Sequence, residues 1–291
     1  MPVGVGIALA CVAMLCWGIG DFWIQRSTRK IGNIEALFFI TAFGAVVLFP
    51  FVYKNIPQLL NAPGSALVIL GTLCVVLLFA ALLDFEALRV GKLSVVEPIW
   101  SFEVPVAALL AFFILGERVT GVQIGLIVAL LFGLLLVSMR DRFRFGAFLL
   151  ERGTLLAFFG AVLMGAANFF MGWGSRVSDP IMANFIADAF IALVTGGILL
   201  YNGKFTQTIL DCVRNKGVLL QMSIADKVAW LAFAFAMVLA PIGVVVALSE
   251  SYIIIAVFLG LSVGKERLSF HQKAGLVIAL AAAIWLAVIT V

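Results

Sequence analysis

One long stretch occurs twice in this chain, and the duplication constrains the fold more than any other feature. Each copy reads as two long apolar segments joined by a tight charged turn. The first copy covers residues 91–137 and turns at Gly116-Glu117-Arg118, and the second covers residues 240–288. Aligning Glu117 with Glu266 gives an offset of 149 residues. The chain is therefore expected to consist of two related halves.

The apolar segments are too long and too many for a soluble protein of this size. Hydrophobic residues make up 64% of the 291 positions, charged residues 12%, and the mean hydropathy is +1.22. Surface-to-volume scaling would leave much of this apolar surface facing water, whereas runs of about 20 apolar residues match the thickness of a bilayer. The sequence predicts an all-α polytopic membrane protein whose main partner is the lipid bilayer. The net charge of +4 needs no nucleic acid to explain it.

Ten transmembrane segments can be drawn between charged residues, prolines and glycines. The predicted spans are 3–25, 33–53, 66–87, 93–115, 119–138, 153–175, 181–201, 218–238, 241–263 and 269–290. A second similarity extends the repeat, because Gly18 to Asp21 in span 1 matches Gly165 to Asn168 in span 6 at an offset of 147. We expect two five-helix repeats, 1–140 and 153–291, joined by a loop at 141–152.

An odd number of spans in each half would insert the second half upside down, and the loop charges agree. Loops 1, 3, 5, 7 and 9, together with Lys273 at the start of span 10, carry 15 lysines and arginines, whereas loops 2, 4, 6 and 8 carry 3. Such a bias is typical of inverted repeats in a cytoplasmic membrane. It also predicts that both termini lie outside the cytoplasm.

The repeated Pro…Gly-Glu-Arg/Lys-Glu-Arg…Gly-Leu pattern and the ten-span division resemble the EamA-type branch of the drug/metabolite transporter (DMT) superfamily. The resemblance covers nearly the whole chain. It implies a permease that works by alternating access, with a cavity between the halves. Spans 5 and 10 would form a seam, and export would be somewhat favoured over uptake. It does not imply a substrate, and a first-helix glutamate used by small multidrug relatives has no counterpart at Leu15-Cys16-Trp17.

Eight acidic residues fall within the predicted spans, where each charge must face a cavity or a partner. They are Asp21, Asp84, Glu86, Glu97, Glu103, Asp188, Asp226 and Glu250. Asp84 and Glu86 lie near the end of span 3 and could equally be interfacial.

Glu103 and Glu250 are the first candidates for substrate or ion binding. Glu103 lies between Pro98 and Pro105, which weaken the helical hydrogen-bond ladder, and Trp100 offers a wall for a cation. Glu250 lies at similar depth in span 9, and Tyr252 aligns with Glu103.

Pro98, Pro105 and Pro241 are candidate gate or hinge positions. Glu97 lies nearer a membrane face, where a gate and a rim salt bridge are both open interpretations.

Polar faces of the other spans supply the remaining candidates. Asp21 and its counterpart Asn168 lie among small residues, as expected of a wall close to a ligand or of a helix contact. Asn184 and Asp188 share a face of span 7 with Thr195. Lys227 is the basic residue within a span, and it cannot pair well with the adjacent Asp226. We expect it to reach Asp188 or Glu250, or to bind a substrate carboxylate.

Small residues at every fourth position of spans 5 and 10 predict that these spans pack together. The two rows are Gly121, Gly125, Ala129 and Gly133, and Gly275, Ala279, Ala283 and Ala287.

The function that fits best is secondary transport of a small polar or amphipathic metabolite, driven by protons or by exchange. An amino-acid-like compound, an amine or a drug-like molecule would fit an acid-lined cavity. A non-transporting scaffold or partner subunit is an alternative, and an intramembrane enzyme is a weaker one, because one histidine and no GxSxG or HExxH motif leave little catalytic machinery. No cofactor or metal is expected, and the protein could be a monomer or a homodimer.

Overall fold

The apolar segments form helices in a computed structural model that describes residues 2–91, 99–138, 153–252, 254–255 and 269–290. We number the described helices α1 to α12. They are α1 Pro2–Ile31, α2 Asn33–Val52, α3 Ile56–Leu60, α4 Gly64–Val90, α5 Glu103–Leu115, α6 Gly121–Ser138, α7 Thr154–Val177, α8 Pro180–Tyr201, α9 Phe205–Arg214, α10 Lys216–Leu239, α11 Ile242–Ser249 and α12 Phe270–Thr290.

Seven of these helices are long and apolar enough to cross a membrane, namely α1, α2, α4, α7, α8, α10 and α12. Three further apolar helices are shorter within the described residues: Glu103–Leu115, Gly121–Val137 and Ile242–Tyr252. Each of the ten predicted spans overlaps one of these helices, and the count of ten membrane crossings stays a prediction. The loops predicted after spans 2 and 7 each contain a short helix, α3 and α9.

Local signals in the sequence account for where several helices begin and end. Asp179 caps α8, because its Oδ1 accepts hydrogen bonds from the backbone N–H groups of Ile181 and Met182 at 2.8 and 3.1 Å. Pro180 occupies the first helical position, where no N–H is needed. At the charged turn of the first repeated stretch, Gly116 ends α5 in the left-handed conformation with φ +66°, which glycine adopts without strain.

The helix packing is unchanged when the two halves are exchanged. The main contacts are α1 with α10, α4 with α7, α2 with α8, and α6 with α12. The repeat relates α1, α2, α4 and α6 to α7, α8, α10 and α12. Exchanging the halves therefore converts the α1–α10 contact into the α7–α4 contact, and it converts the α2–α8 and α6–α12 contacts into themselves. The contacts of α5 with α7 and of α11 with α1 are exchanged in the same way. The duplicated sequence therefore builds a duplicated arrangement of helices.

The predicted seam between spans 5 and 10 exists, but two glycines of the small-residue row on span 5 do not line it. A Cβ added at Gly133 would lie 2.6 Å from the Ala279 nitrogen and 2.7 Å from the Gly275 oxygen. Gly121 and Gly125 have nothing within 4 Å of such an atom. The prediction that those two glycines line the seam is wrong, because they lie on the exposed side of α6, whereas Gln123 on its buried side donates to Thr290 of α12 at 3.0 Å.

The ends of the long helices define two faces of the bundle. At the face that we call the basic face, α1 and α4 end and α2 and α7 begin, as the hydrogen bonds from Arg29 to the Gly91 carbonyl and from Asn33 to Glu86 indicate. At the opposite face, which we call the latch face, α7 and α10 end and α11 begins.

Candidate functional site

A cavity lies at the centre of the bundle, between the two halves. It holds about 900 Å³ of empty space, part of it open to solvent. On α1, α2 and α4 its lining residues all lie in the half of each helix nearer the basic face, for example Ile24, Leu37 and Leu88. Helices α7, α8 and α10 supply the wall from the second half.

The ten residues predicted to bind a substrate or ion all line this cavity. They are Asp21, Trp100, Glu103, Asn168, Asn184, Asp188, Asp226, Lys227, Glu250 and Tyr252. The structure brings them together from α1, α7, α8 and α10 and from the segments 99–103 and 250–252. Their role in binding stays a prediction.

Asp84 is a lining residue that the sequence left undecided. Its carboxylate faces the cavity with only 7% of the residue exposed, close to α7, where a Cβ at Gly160 would lie 2.1 Å from Oδ1. Glu86, two residues later, instead binds Asn33 and Arg89 at the surface. Sequence position could not separate the two acids, because the rotation of α4 decides which one faces inward.

Aromatic residues that the sequence did not select as site residues also line the cavity. Trp17 and Trp230 meet edge to face, with ring centroids 5.4 Å apart, and both pack against Phe233 behind them. With Trp100 and Tyr252, they place aromatic rings among the carboxylates.

Glu103 and Asn168 join the two halves at the cavity wall. The Asn168 side-chain amide donates a hydrogen bond of 2.9 Å to Glu103 Oε2, and both residues are buried. The equivalent residues in the other half are Asp21 and Tyr252, which also interact through their side chains. The repeat therefore keeps the contact but exchanges which partner carries the carboxyl group.

Lys227 forms a buried ion pair with Asp188, one of the two partners expected from the sequence. The pair lies against the backbone of α2, where a Cβ at Gly44 would be 2.1 Å from Asp188 Oδ2 and 2.5 Å from Lys227 Cε. Asp226 lies close enough to interact electrostatically with both charges. The ammonium group is therefore already neutralised within the cavity.

Two helix interruptions lie at the cavity in equivalent positions. Before α5 the chain makes a turn at Ser101 and Phe102, and after α11 it tightens into a 3₁₀ turn over Glu250–Tyr252. The offset of 149 residues relates Ser101 to Glu250. The prolines predicted the interruption in the first half, but no proline lies next to the one in the second half.

The small residues beside Asp21 and Asn168 serve helix contacts and not a ligand wall. A Cβ at Gly165 would lie 2.7 Å from the Glu103 carbonyl oxygen, and one at Gly172 would meet Ile242 at 2.7 Å. Gly18 faces the side chain of Ile255. Of the two interpretations left open by the sequence, helix packing is the one that these glycines show.

The candidate hinge residues take different positions. Glu97 and Pro98 lie outside the described residues. Pro105 occupies the first turn of α5, where its missing N–H leaves no intrahelical bond unmade. Pro241 precedes α11 at the latch face. Neither Pro105 nor Pro241 lines the cavity.

Glu117 and Arg176 close the latch face. Arg176 forms an ion pair with Glu117 and donates to the carbonyl oxygens of Met237 and Ala240 at 2.8 and 3.1 Å. The second Glu117 oxygen accepts from the Ile242 N–H at 2.9 Å and so caps α11. Glu117 belongs to the charged turn after α5, and its carboxylate reaches two other helices, α7 and α11.

Arg176 has a counterpart at the basic face. The offset of 147 relates it to Arg29, whose Nη2 donates to the Gly91 carbonyl at 2.9 Å. Gly91 is in turn equivalent to Ala240. The same arginine–carbonyl bond therefore recurs at both faces, and the offset already present in the sequence could have identified it.

Comparison with protein families adds the decisive observation. The model of the EamA-like transporter family matches the chain twice, at residues 4–139 and 151–288. The chain belongs to the EamA-like transporter family. EamA-like proteins are membrane transporters of the DMT type, and the apolar helices described above agree with that class.

Solved structures share the fold of this EamA-like chain. One crystal structure superposes with a TM-score of 0.72 at 15% sequence identity, covering 98% of this chain and 97% of the other. It is one of 28 matching chains. No curated protein sequence matches the chain significantly.

Proposed function

We propose that this EamA-like protein is a secondary transporter that moves a small molecule with a cationic group across the cytoplasmic membrane by alternating access. The observation that carries the proposal is the central cavity, whose wall comes from both halves and contains six acidic side chains and Lys227. A scaffold subunit would have no need to keep buried carboxylates beside empty space, because charges at membrane depth are costly.

The two interrupted helices support a transport mechanism. Transporter binding sites are typically formed where membrane helices break, because the freed backbone groups and adjacent side chains can bind a polar ligand. In this chain the breaks at Ser101–Phe102 and Glu250–Tyr252 lie at the cavity and place Glu103 and Glu250 there.

The unequal faces support alternating access. Phe85 and Leu88 extend the cavity lining toward the basic face, while the Glu117–Arg176 ion pair joins α7, α10 and α11 at the latch face. Because the helix contacts are exchanged by the repeat, a second conformation with the roles of the faces reversed is available at similar energy. The loop charges place the basic face in the cytoplasm, so this conformation would accept its substrate from inside, as export requires.

The acidic lining supports substrates with an amino or other basic group. Such a cation would replace its hydration with carboxylates and aromatic faces. In proton-coupled transport, protons would bind the same carboxylates in the return step. In exchange, a counter-substrate would bind them instead.

The test is flux into proteoliposomes that contain the purified protein, with a panel of radiolabelled amines, amino acids and cationic drugs. We expect uptake of at least one amine that depends on a pH gradient or on a counter-substrate. Glu103→Gln and Glu250→Gln should each reduce its initial rate by roughly tenfold or more, since each removes a buried charge partner.

Asp211→Asn is the matched control, because Asp211 lies on the surface helix α9 and its carboxylate contacts residues of that same helix, Gln207 at 3.0 and 3.1 Å and Arg214 at 3.7 Å. It should transport like the wild type. Normal flux in both cavity variants, or no gradient-dependent flux of any compound, would contradict the proposal.

A further inference from the structure

We propose that the cavity is built for an organic dication that carries no carboxylate, such as a linear diamine. This inference rests on the proposed transport function and names the substrate class of the same site. The argument uses the charges of the described lining residues, their partners and their separation.

Lys227 cannot easily serve a substrate carboxylate. Its ammonium group is paired with Asp188, and Asp226 also interacts with it. Gly44 holds this ion pair against α2, because no side chain intervenes there. An amino acid would have to break a buried ion pair and leave Asp188 without its partner, which is strongly unfavourable. The structure therefore disfavours substrates that need a free cation in the wall.

The remaining acids have no basic partner among the described lining residues. Asp21, Asp84, Glu103 and Glu250 are each at least nine-tenths buried. Asp21 lies within electrostatic range of the other three and of Asp226, so the acidic groups form one cluster in which ionised carboxylates would repel one another. A ligand with one positive charge would leave most of this repulsion in place, whereas two charges would relieve more of it.

Asp84 shows that the group is open to a donor. Its Oδ1 has no hydrogen-bond partner among the described residues and lies against the α7 backbone at Gly160. The same carboxyl group lines the cavity and interacts with the Trp100 side chain. Buried acceptors are normally satisfied, so we expect a ligand N–H to share the Asp84 carboxyl group with Trp100.

The acids are spread out and do not converge on one point. Among the described residues, no three histidine, cysteine or acidic side chains could hold one metal ion. Carboxylates from α1, α4, α10 and the two helix breaks instead line the cavity together with Trp17, Trp100 and Trp230. Two ammonium groups joined by an apolar chain suit a wall that contains both acidic and aromatic side chains.

The experiment compares three ligands of similar length on purified full-length protein: 1,5-diaminopentane, pentylamine and 6-aminohexanoate. Calorimetry should give a dissociation constant for the diamine at least roughly tenfold below that for the monoamine, as one further charge-assisted hydrogen bond would produce. The amino acid should bind more weakly than either. Asp84→Asn should remove most of the diamine preference, while Asp211→Asn should retain it.

Folding of each variant is checked by its melting temperature without ligand, and Glu103→Gln serves as a second variant if Asp84→Asn does not fold. Equal binding of mono- and diamine, or tighter binding of the amino acid, would overturn the inference. So would a diamine preference that survives in the folded cavity variants.

Counterflow in proteoliposomes separates this inference from the transport proposal. Exchange of a monoamine or an amino acid without exchange of the diamine would overturn the dication assignment and leave a transporter. Tight diamine binding without flux of any compound would support the dication site and contradict transport.

Discussion

Gly44 is the residue that makes room for the buried ion pair of the cavity. Asp188 and Lys227 come from α8 and α10, and both approach the α2 backbone at this glycine. A glycine within a helix is intrinsically less favourable than alanine. Its cost is offset here because a side chain would displace both charged groups.

Gly44→Ala should therefore destabilise the protein and weaken amine binding. The added Cβ would lie 2.1 Å from Asp188 Oδ2, so the ion pair must shift, and disturbing a buried ion pair costs up to about 3–5 kcal/mol. Thermal unfolding in detergent measures the effect. Gly71→Ala, in α4 with nothing within 4 Å, is the control and should be neutral or slightly stabilising. Equal melting temperatures for the two variants would contradict this account.

The sequence identified the cavity residues by type and depth, but not the direction in which each one points. A carboxylate at membrane depth has few stable surroundings, so Asp21, Glu103 and Glu250 could be selected without coordinates. Asp84 and Glu86 lie two positions apart near a helix end, and the hydropathy pattern cannot tell which faces inward. The packing of α4 against α7 decides in favour of Asp84.

At the scale of helices, the seam between α6 and α12 shows what a pattern of small residues can and cannot predict. Small residues at every fourth position indicate a close helix contact. The row runs along most of α6, but Gly133 lies against the α12 backbone while Gly121 and Gly125 are exposed. Which part of a row faces the neighbouring helix depends on the angle between the helices, which the row does not contain.

Gly133→Ala should lower the melting temperature by several degrees, because its Cβ would lie 2.6 Å from the Ala279 nitrogen and force α6 and α12 apart. Gly125→Ala on the same helix has open space around the added atom and should not lower it. The comparison is made by thermal unfolding of both variants in the same detergent. A seam that extended along the whole row would destabilise both variants alike.

The interrupted helices were predicted in only one half. Pro98 and Pro105 indicate a weak ladder before α5, whereas the equivalent turn at Glu250–Tyr252 contains Ser251 and no proline. The repeat itself is the better guide, since the offset of 149 residues carries the interruption from Ser101 to Glu250. Similarity between halves thus transfers a backbone feature that local composition does not reveal.

At the scale of the whole molecule, the duplication gave the fold class and the exchangeable helix contacts. The direction of insertion is predicted from the loop charges, and the number of membrane crossings rests on counting the three shorter apolar helices α5, α6 and α11 as full spans. Both conclusions depend on the bilayer, which acts on the chain from outside and leaves no trace in the contacts between helices.

The loop charges predict that both termini lie outside the cytoplasm. Fusion of alkaline phosphatase to the C-terminus should therefore give an active enzyme, and fusion of green fluorescent protein at the same point should stay dark. The same reporters fused after Arg214, at the basic face, should give the opposite result. Fluorescent C-terminal fusions would reverse the orientation and, with it, the assignment of the cavity to the cytoplasmic side.

Arg176 gives the latch face a property that the individual bonds do not have separately. One guanidinium group binds the Glu117 carboxylate and the carbonyls of Met237 and Ala240, and that same carboxylate caps α11. Since these bonds share one guanidinium group and one carboxylate group, loosening one weakens the others. Opening at this end should therefore be cooperative, with all of these bonds lost together and no stable intermediate.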